Sequence, residues 1–313
     1  MSLKEVKKNM VFYLKDDLRI FVGYFMFTIK RFFSIPKREI SRLFIKDKGD
    51  IEYRNKVKGK KEIIKDVLGK KMVLPTEDKG LSRDLMIHGI REPHCVDIMK
   101  KILKKGMHVV EVGANIGYFV LQEHIILGNT GKIYAIEPNP LSVKYLKKNV
   151  KINSMKNVKL LNMGVSDKNG EMTFLMSKKW NLSRFQNDKK TTTSDVLKEI
   201  PVKIKTLDSL FANKKVNFIR TDIEGYEYQM IKGAQKVLSN NKNLIIFLEF
   251  HPYMMKKKQR KEMAIILKRS GFKIKTVFLQ DPDNCRYVKR FTFKDMAGKP
   301  YFFPLHLVLE KKS

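Results

Sequence analysis

The sequence predicts an α/β protein built on a doubly wound, mostly parallel sheet. Two observations carry this. From about Glu62 onward, apolar runs of strand length alternate with amphipathic runs of helix length, and strands joined through helices run parallel. Glycines stand at the seams, at Gly106 after "DIMKKILKK", at Gly128 after "LQEHIIL", and between strand and helix in "VVEVGANIGYF". The chain of 313 residues suits one large domain with an appendage. The appendage is a basic, helical N-terminal extension over residues 1–60, and the α/β domain fills 61–313.

Taken in order, residues 11–33 are apolar at Val11, Leu14, Leu18, Phe21, Val22, Phe25, Ile29 and Phe32, a helical spacing. Such a stripe docks either on protein or on a membrane surface, where Lys30, Arg31, Lys37 and Arg38 would meet anionic headgroups. "EIIKDVLGKKMVL" predicts a small hairpin, and "HCVDIMKKILKKG" a helix stopped at Gly106. "MHVVEVG", "GKIYAIEPN" and "NVKLLNMGVS" are the first three core strands, separated by the helices "IGYFVLQEHIILG" and "PLSVKYLKKNVKIN". "GEMTFLM" and "PVKIKTL" are added strands around a polar loop, 178–200. "VNFIRTD" is the fourth core strand, "YEYQMIKGAQKVLS" a single helix, "NLIIFLEF" the fifth strand and "KQRKEMAIILKRSG" a helix. "FKIKTVFL" and "PLHLVLEK" close the chain as strands.

Apolar residues make up 43% of the chain, ordinary for a soluble domain. The two cysteines, Cys95 and Cys285, have no metal-ligand spacing and read as reduced thiols, which points to the cytoplasm. The longest apolar stretch of the N-terminus, "IFVGYFMFTI", is about half the ~20 residues of a membrane span. The formal net charge of +33 points to nucleic acid, anionic lipid or an anionic glycan, or to a surface simply rich in solvated lysine.

"VVEVGANIGYF" places Gly113, Asn115 and Gly117 between a strand and a helix. Glycines there let the backbone approach a ligand, and the helix start offers free N–H groups. The pyrophosphate fingerprint G-x-G-x-x-G is absent, and Glu111 just before the loop would repel a pyrophosphate. It would suit an ammonium or sulfonium. Glu137, ending the second strand in "AIEPNP", is placed for ribose hydroxyls. An adenosine ligand with a cationic tail follows, and S-adenosylmethionine fits.

The chain resembles the FkbM-like S-adenosylmethionine-dependent methyltransferases over about residues 62–310. The resemblance rests on "GIREP" (89–93), "EVGANIGYF" (111–119), "AIEPNP" (135–140), "GVSDKNGEMTF" (164–174), "KTLDSL" (205–210) and "IRTDIEGYEYQMIKGA" (219–234). It implies a Rossmann-like class I fold with sheet order 3-2-1-4-5-7-6 and an antiparallel last strand. It implies methyl transfer to a hydroxyl, often of a sugar or polyketide-type acceptor. Gly113, Asn115 and Gly117 would form the cofactor loop, Glu137 would bind the ribose, and Ser166 and Asp167 would lie near the adenine. Arg220 stands where members often carry lysine, and an arginine does not deprotonate in proteins.

In that sheet the strand ending at Asp222 lies between those ending at Glu111 and Glu249, so Asp222, Glu224, Glu249 and His251 should converge at the methyl. Three readings compete: Asp222 or His251 is a general base, or Asp222, Glu249 and His251 hold a divalent cation, or Asp222 caps the helix that follows. Glu227 reads as helix support. Serine-hydrolase, P-loop and zinc-protease motifs are missing, as are the tetrapeptides usual for amino-group methylation on bases. The expected activity is O-methylation of a saccharide or of a lipid-linked or surface-glycan precursor, by a cytoplasmic protein with peripheral membrane contact through residues 11–38. An RNA methyltransferase, and a basic nucleic-acid-binding or scaffold protein, are the rivals. The acceptor is expected at loops 178–200 and 281–300.

Overall fold

The computed structural model describes residues 53, 55–186, 196–280, 285–298 and 301–311. The apolar stripe at 11–33 and its flanking cations lie outside them, as do 187–195, 281–284 and 299–300 of the two loops assigned to the acceptor. Among the described residues no helix is long and apolar enough to cross a membrane. The unit described below is Val57–Ser313.

It begins with the predicted hairpin, β1 (Glu62–Val67) and β2 (Lys70–Pro75), antiparallel about a two-residue turn. Leu68 and Gly69 both take positive φ there, 53° and 79°, the handedness that matches the twist of paired strands. Helix α1 (Leu81–His88) stops at Gly89, whose left-handed φ of 74° lets its N–H reach the Leu85 carbonyl. Helix α2 (Pro93–Ile102) starts on a proline, whose missing N–H costs nothing in a first turn. It ends four residues before Gly106, because Leu103 turns extended and is buried.

The central sheet is assembled from β3 (His108–Val112), β4 (Lys132–Ile136), β5 (Val158–Leu161), β10 (Phe218–Thr221), β11 (Ile245–Phe250), β12 (Phe272–Gln280), β13 (Cys285–Tyr287) and β14 (Leu305–Lys311). Its order is β13-β12-β14-β11-β10-β3-β4-β5. The pairs β3–β4, β4–β5, β3–β10 and β10–β11 are parallel, whereas β14 is antiparallel to both β11 and β12. With core strands numbered along the chain this is 3-2-1-4-5-7-6, with β13 added at the edge. The doubly wound fold and its antiparallel last strand are as expected. Between the strands come α3 (Tyr118–Leu127), α4 (Pro140–Ile152) and α8 (Lys257–Arg269), with the short α5 (Leu207–Phe211) and α9 (Phe293–Gly298). Strand β3 is buried from Val109 to Val112 and β10 along its whole length, as befits strands covered on both faces.

The stretch read as one third strand instead divides. β5 stays in the central sheet, while β6 (Gly164–Val165) joins a second sheet, β6-β9-β7-β8, with β7 (Gly170–Ser177), β8 (Arg184–Phe185) and β9 (Val196–Lys205). The helix read over 226–239 also divides, into α6 (Glu227–Lys232) and α7 (Gln235–Asn240). The break falls at Gly233, where a Cβ would lie 2.1 Å from the Ser166 carbonyl oxygen, so the helix yields to the turn after β6.

Candidate active site

The carboxyl ends of β3, β4 and β10 are tied together by backbone. Gly113 and Ala114 both donate to the Ile136 carbonyl at 3.0 Å, and the Asp222 N–H donates to Val112 at 3.1 Å. Gly113 takes φ +87°, and a Cβ on it would stand 2.1 Å from the Asp222 carbonyl oxygen. Only glycine allows the two strand ends to meet this closely. Above them opens a cavity of about 830 Å³, part of it open to solvent.

Gly113, Asn115 and Glu137 line that cavity. The Glu137 carboxylate is fixed by two backbone donors, Asn115 N–H to Oε2 and Asn139 N–H to Oε1, each at 2.8 Å. Burial pushes its carboxyl up to about 7, outweighing those N–H groups. Gly117 is not on the cavity wall. Its φ of +90° starts α3, and a Cβ there would press within 2.5 Å of Leu146 in α4, so it serves helix packing.

Glu111, expected to meet the ligand's cation, does not line the cavity. Its Oε1 is held at 2.6 Å by Nη1 of Arg220, its register partner on β10, and both side chains are buried. The guanidinium, in turn, lies flat over Phe119, 3.4 Å from the ring centroid, and 3.8 Å from the Glu92 carboxylate. Arg220 itself is on the wall. Ser166 and Asp167 are not. Ser166 is buried with its hydroxyl 3.2 Å from that of Tyr226, and Asp167 is paired with Lys232 at 2.8 Å. From that stretch Met163, Gly164 and Val165 reach the cavity instead, because β6 swings into the second sheet.

Of the four candidate catalytic residues, Asp222 and Glu224 line the cavity, while Glu249 and His251 stand behind them. His251 is 2% exposed. Its Nδ1 contacts Glu227 Oε1 at 2.9 Å, and its Nε2 lies 3.7 Å from both Glu224 Oε2 and Glu249 Oε1. Burial opposes charge on the ring, but the three carboxylates outweigh it and raise its pKa well above the usual value. His251 lies off the cavity wall, behind Asp222 and Glu224, so an acceptor hydroxyl in the cavity meets those two carboxyls before the ring. Asp222 is raised well above the carboxylate range by burial and by Glu249, and its Oδ1 is buried without a hydrogen-bond partner. Glu224 is pushed up to about 7, again chiefly by burial. The chain reaches it through left-handed backbone at Glu224 (φ 50°) and Gly225 (φ 90°), so Glu227, not Asp222, opens the helix that follows. Asp222 makes no cap hydrogen bond to that helix. One ligand atom each from Asp222, Glu224 and His251 lies within 4.8 Å of the other two. Glu224, where Glu249 was expected, is the third member of this group.

Residue reasoning missed most of the remaining wall. Arg91 and Glu92 come from "GIREP", which had served only as a marker of resemblance. The Arg91 guanidinium is clamped by Asp84 at 2.6 Å and Glu92 at 3.1 Å, and the Tyr118 hydroxyl donates to the Arg91 carbonyl at 2.7 Å. The second sheet adds Phe174 and Phe185, and Tyr226, just ahead of α6, extends the row, ring against ring with 5.1 Å between successive centroids. Trp180 completes it, its backbone N–H donating to the buried carboxylate of Asp78 at 3.0 Å.

Residues 111–274 match the model of the methyltransferase FkbM domain. The chain belongs to the FkbM methyltransferase family. S-adenosylmethionine is the cofactor of that family, and the cavity fits it. Each Glu137 oxygen keeps a lone pair for a ribose hydroxyl, the aromatic wall can take a base, and the unpartnered Asp222 Oδ1 suits a cationic centre. The chain is also 38% identical, over 78 residues, to the protein-L-isoaspartate O-methyltransferase of Methanosarcina mazei, covering 24% of this chain and 32% of that one. It therefore spans about a third of the length of the curated relative it matches. Among solved structures it is similar to methyltransferase FkbM of Methylobacillus flagellatus, with a TM-score of 0.41 and 14% identity over 72% of this chain and 54% of that one. It is likewise similar to M. jannaschii TYW2 in complex with AdoMet, with a TM-score of 0.40 and 16% identity over 80% of this FkbM-family chain and 87% of that one.

Proposed function

We propose that this protein transfers the methyl group of S-adenosylmethionine to a hydroxyl oxygen, on a saccharide or a glycan precursor. The carrying observation is the position of Asp222. Its backbone touches the glycine loop at Gly113, and its carboxyl, with Oδ1 unpartnered, lies on the same cavity wall as Glu137 and Glu224. Bound S-adenosylmethionine supplies an electrophilic methyl on a sulfonium, whose charge favours ionised carboxylates nearby.

In this reading Glu137 holds the ribose hydroxyls, and Gly113 and Asn115 give the ligand room and backbone contact. Asp222 and Glu224 align the acceptor hydroxyl, and Asp222 takes its proton as oxygen becomes the nucleophile. His251, fixed by Glu227 behind the wall, positions Glu224 and Glu249. The Arg220–Glu111 pair fixes β10 against β3, and the ring wall of Phe174, Phe185 and Trp180 keeps water from the reacting centre.

The net charge of +33 supports a second acceptor, RNA, whose binding would weaken steeply with salt. A cytoplasmic location, with peripheral membrane contact through residues 11–38, is part of the proposal. The test is methyl transfer from labelled cofactor to cell fractions separated into glycan, lipid, RNA and protein. Label in glycan or glycolipid is the expected result, label in RNA selects the rival, and no label in any fraction contradicts both.

A further inference from the structure

The acids at this site outnumber the cations that could balance them. Glu92, Asp222, Glu224, Glu227 and Glu249 gather around His251, Arg91 and Arg220, with Arg184 on the wall acting on Glu224; Arg220 is already committed to Glu111 and Arg91 to Asp84. Burying like charges together is costly unless something positive sits among them.

His251 shows where that positive group belongs. Its Nδ1 is fixed by Glu227 at 2.9 Å, with the two side chains 2% and 0% exposed. A carboxylate on one imidazole nitrogen is the usual support of a histidine whose other nitrogen ligates a metal, because it sets ring orientation and basicity. That other nitrogen, Nε2, makes no hydrogen bond. Its nearest carboxylate oxygens, on Glu224 and Glu249, are each 3.7 Å away. This is too long for hydrogen bonding. Ligand atoms at about 2.1 Å from an octahedral ion stand about 3.0 Å apart when cis and about 4.2 Å apart when trans, so this spacing leaves room for an ion and closes by about 0.7 Å to make a cis pair. Asp222 and Glu249 each keep one buried oxygen without a partner.

We infer that a divalent cation of the Mn2+ class binds between His251 Nε2, Glu224 and Asp222, with Glu249 beside it and Glu227 as the positioning residue behind His251. One imidazole with hard carboxylate oxygens suits Mn2+ or Fe2+ better than a thiolate-seeking ion. The ion sits on the cavity side of His251, because Asp222 and Glu224 line the cavity and His251 does not. This rests on the methyltransferase reading for its purpose, which is to offer an acceptor hydroxyl a Lewis-acid partner. A carboxylate that ligates through one oxygen keeps the other, so Asp222 can still receive the hydroxyl proton.

The test is a Mn2+ titration of the metal-stripped full chain, followed by the electron paramagnetic resonance of free Mn2+. The expected result is one ion bound per chain, abolished by Glu224→Gln, weakened about 10–100-fold by Glu227→Gln, and unchanged by Glu171→Gln on the exposed part of β7. Circular dichroism and cofactor calorimetry on each variant establish that it folds. No Mn2+ bound by the unsubstituted protein overturns the inference whatever the variants do, as does binding that survives Glu224→Gln. Calorimetry of S-adenosylmethionine on the stripped protein separates the two readings. If the cofactor binds and turnover is full without metal, the Lewis-acid purpose of the cation is overturned and the methyltransferase stands. If no cofactor binds with or without Mn2+, the methyltransferase fails and the titration still decides the cation.

Discussion

Arg220 and Glu111 face each other on adjacent parallel strands, Nη1 to Oε1 at 2.6 Å, and both are buried under the cavity. The pair explains two oddities together. An acid before a glycine loop needs a partner in a strand otherwise apolar, and an arginine in the next strand supplies one while stacking on Phe119.

Removing one partner should therefore cost far more than removing both. Arg220→Met leaves Glu111 buried and unpaired and is expected to lower stability by about 3–5 kcal/mol. Arg220→Met with Glu111→Gln should recover much of that loss, a coupling that a double-mutant cycle of denaturant unfolding measures. Arg220→Lys should rank between, since it keeps charge but loses the planar stack.

Glycines 113 and 106 make a matched pair. Both have positive φ, +87° and +81°, but a Cβ at Gly106 meets nothing within 4 Å. Gly106→Ala should cost only the left-handed strain, about 1–2 kcal/mol. Gly113→Ala must also push back the Asp222 backbone, so its thermal midpoint should fall further and its cofactor binding should be lost.

The catalytic assignment separates binding from turnover. Asp222→Asn should reduce kcat by about 10²–10⁴-fold with cofactor affinity largely kept. An unchanged kcat would leave Asp222 as a structural residue only.

Stability should fall as pH rises. Burial raises Glu137 and Glu224 from 4.5 to about 7. Between those values the folded chain keeps protons that the unfolded chain has released, so their stabilising contribution is complete below about 4.5 and is lost as pH climbs through 7. His251, raised above 6.5, adds stability that is complete below that value and lost as pH rises through its folded pKa. Denaturant unfolding of the cofactor-free protein should thus weaken from pH 5 to pH 8. Glu137→Gln should remove a share of the slope on the order of 3 kcal/mol.

Periodicity and glycine placement were enough to read the strands of the central sheet and the loop at Gly113, because those features are local, whereas the strand order came with the resemblance to the family. Glu137 and Asp222 were legible for the same reason, as acids ending apolar runs. What sequence spacing hides is contact across elements. Glu111 was read by its neighbour Gly113, whereas its environment is set by Arg220, 109 residues on. The support of His251 by Glu227 spans 24 residues and two elements. Ser166 and Asp167 were misjudged because β6 leaves the central sheet, and nothing between Leu161 and Gly164 marks that departure. The aromatic wall is gathered from β7, β8, the turn between them and the start of α6, and that convergence has no signature in pattern.

The central claim is that the cavity bounded by Gly113, Glu137 and Asp222 binds S-adenosylmethionine. Isothermal calorimetry of that cofactor against the full chain and against Glu137→Ala tests it most directly. One cofactor bound per chain, with affinity at least about tenfold weaker when two ribose hydrogen bonds to a charged group are lost, is the predicted result. No binding by the unsubstituted protein, or equal binding by Glu137→Ala, would contradict it.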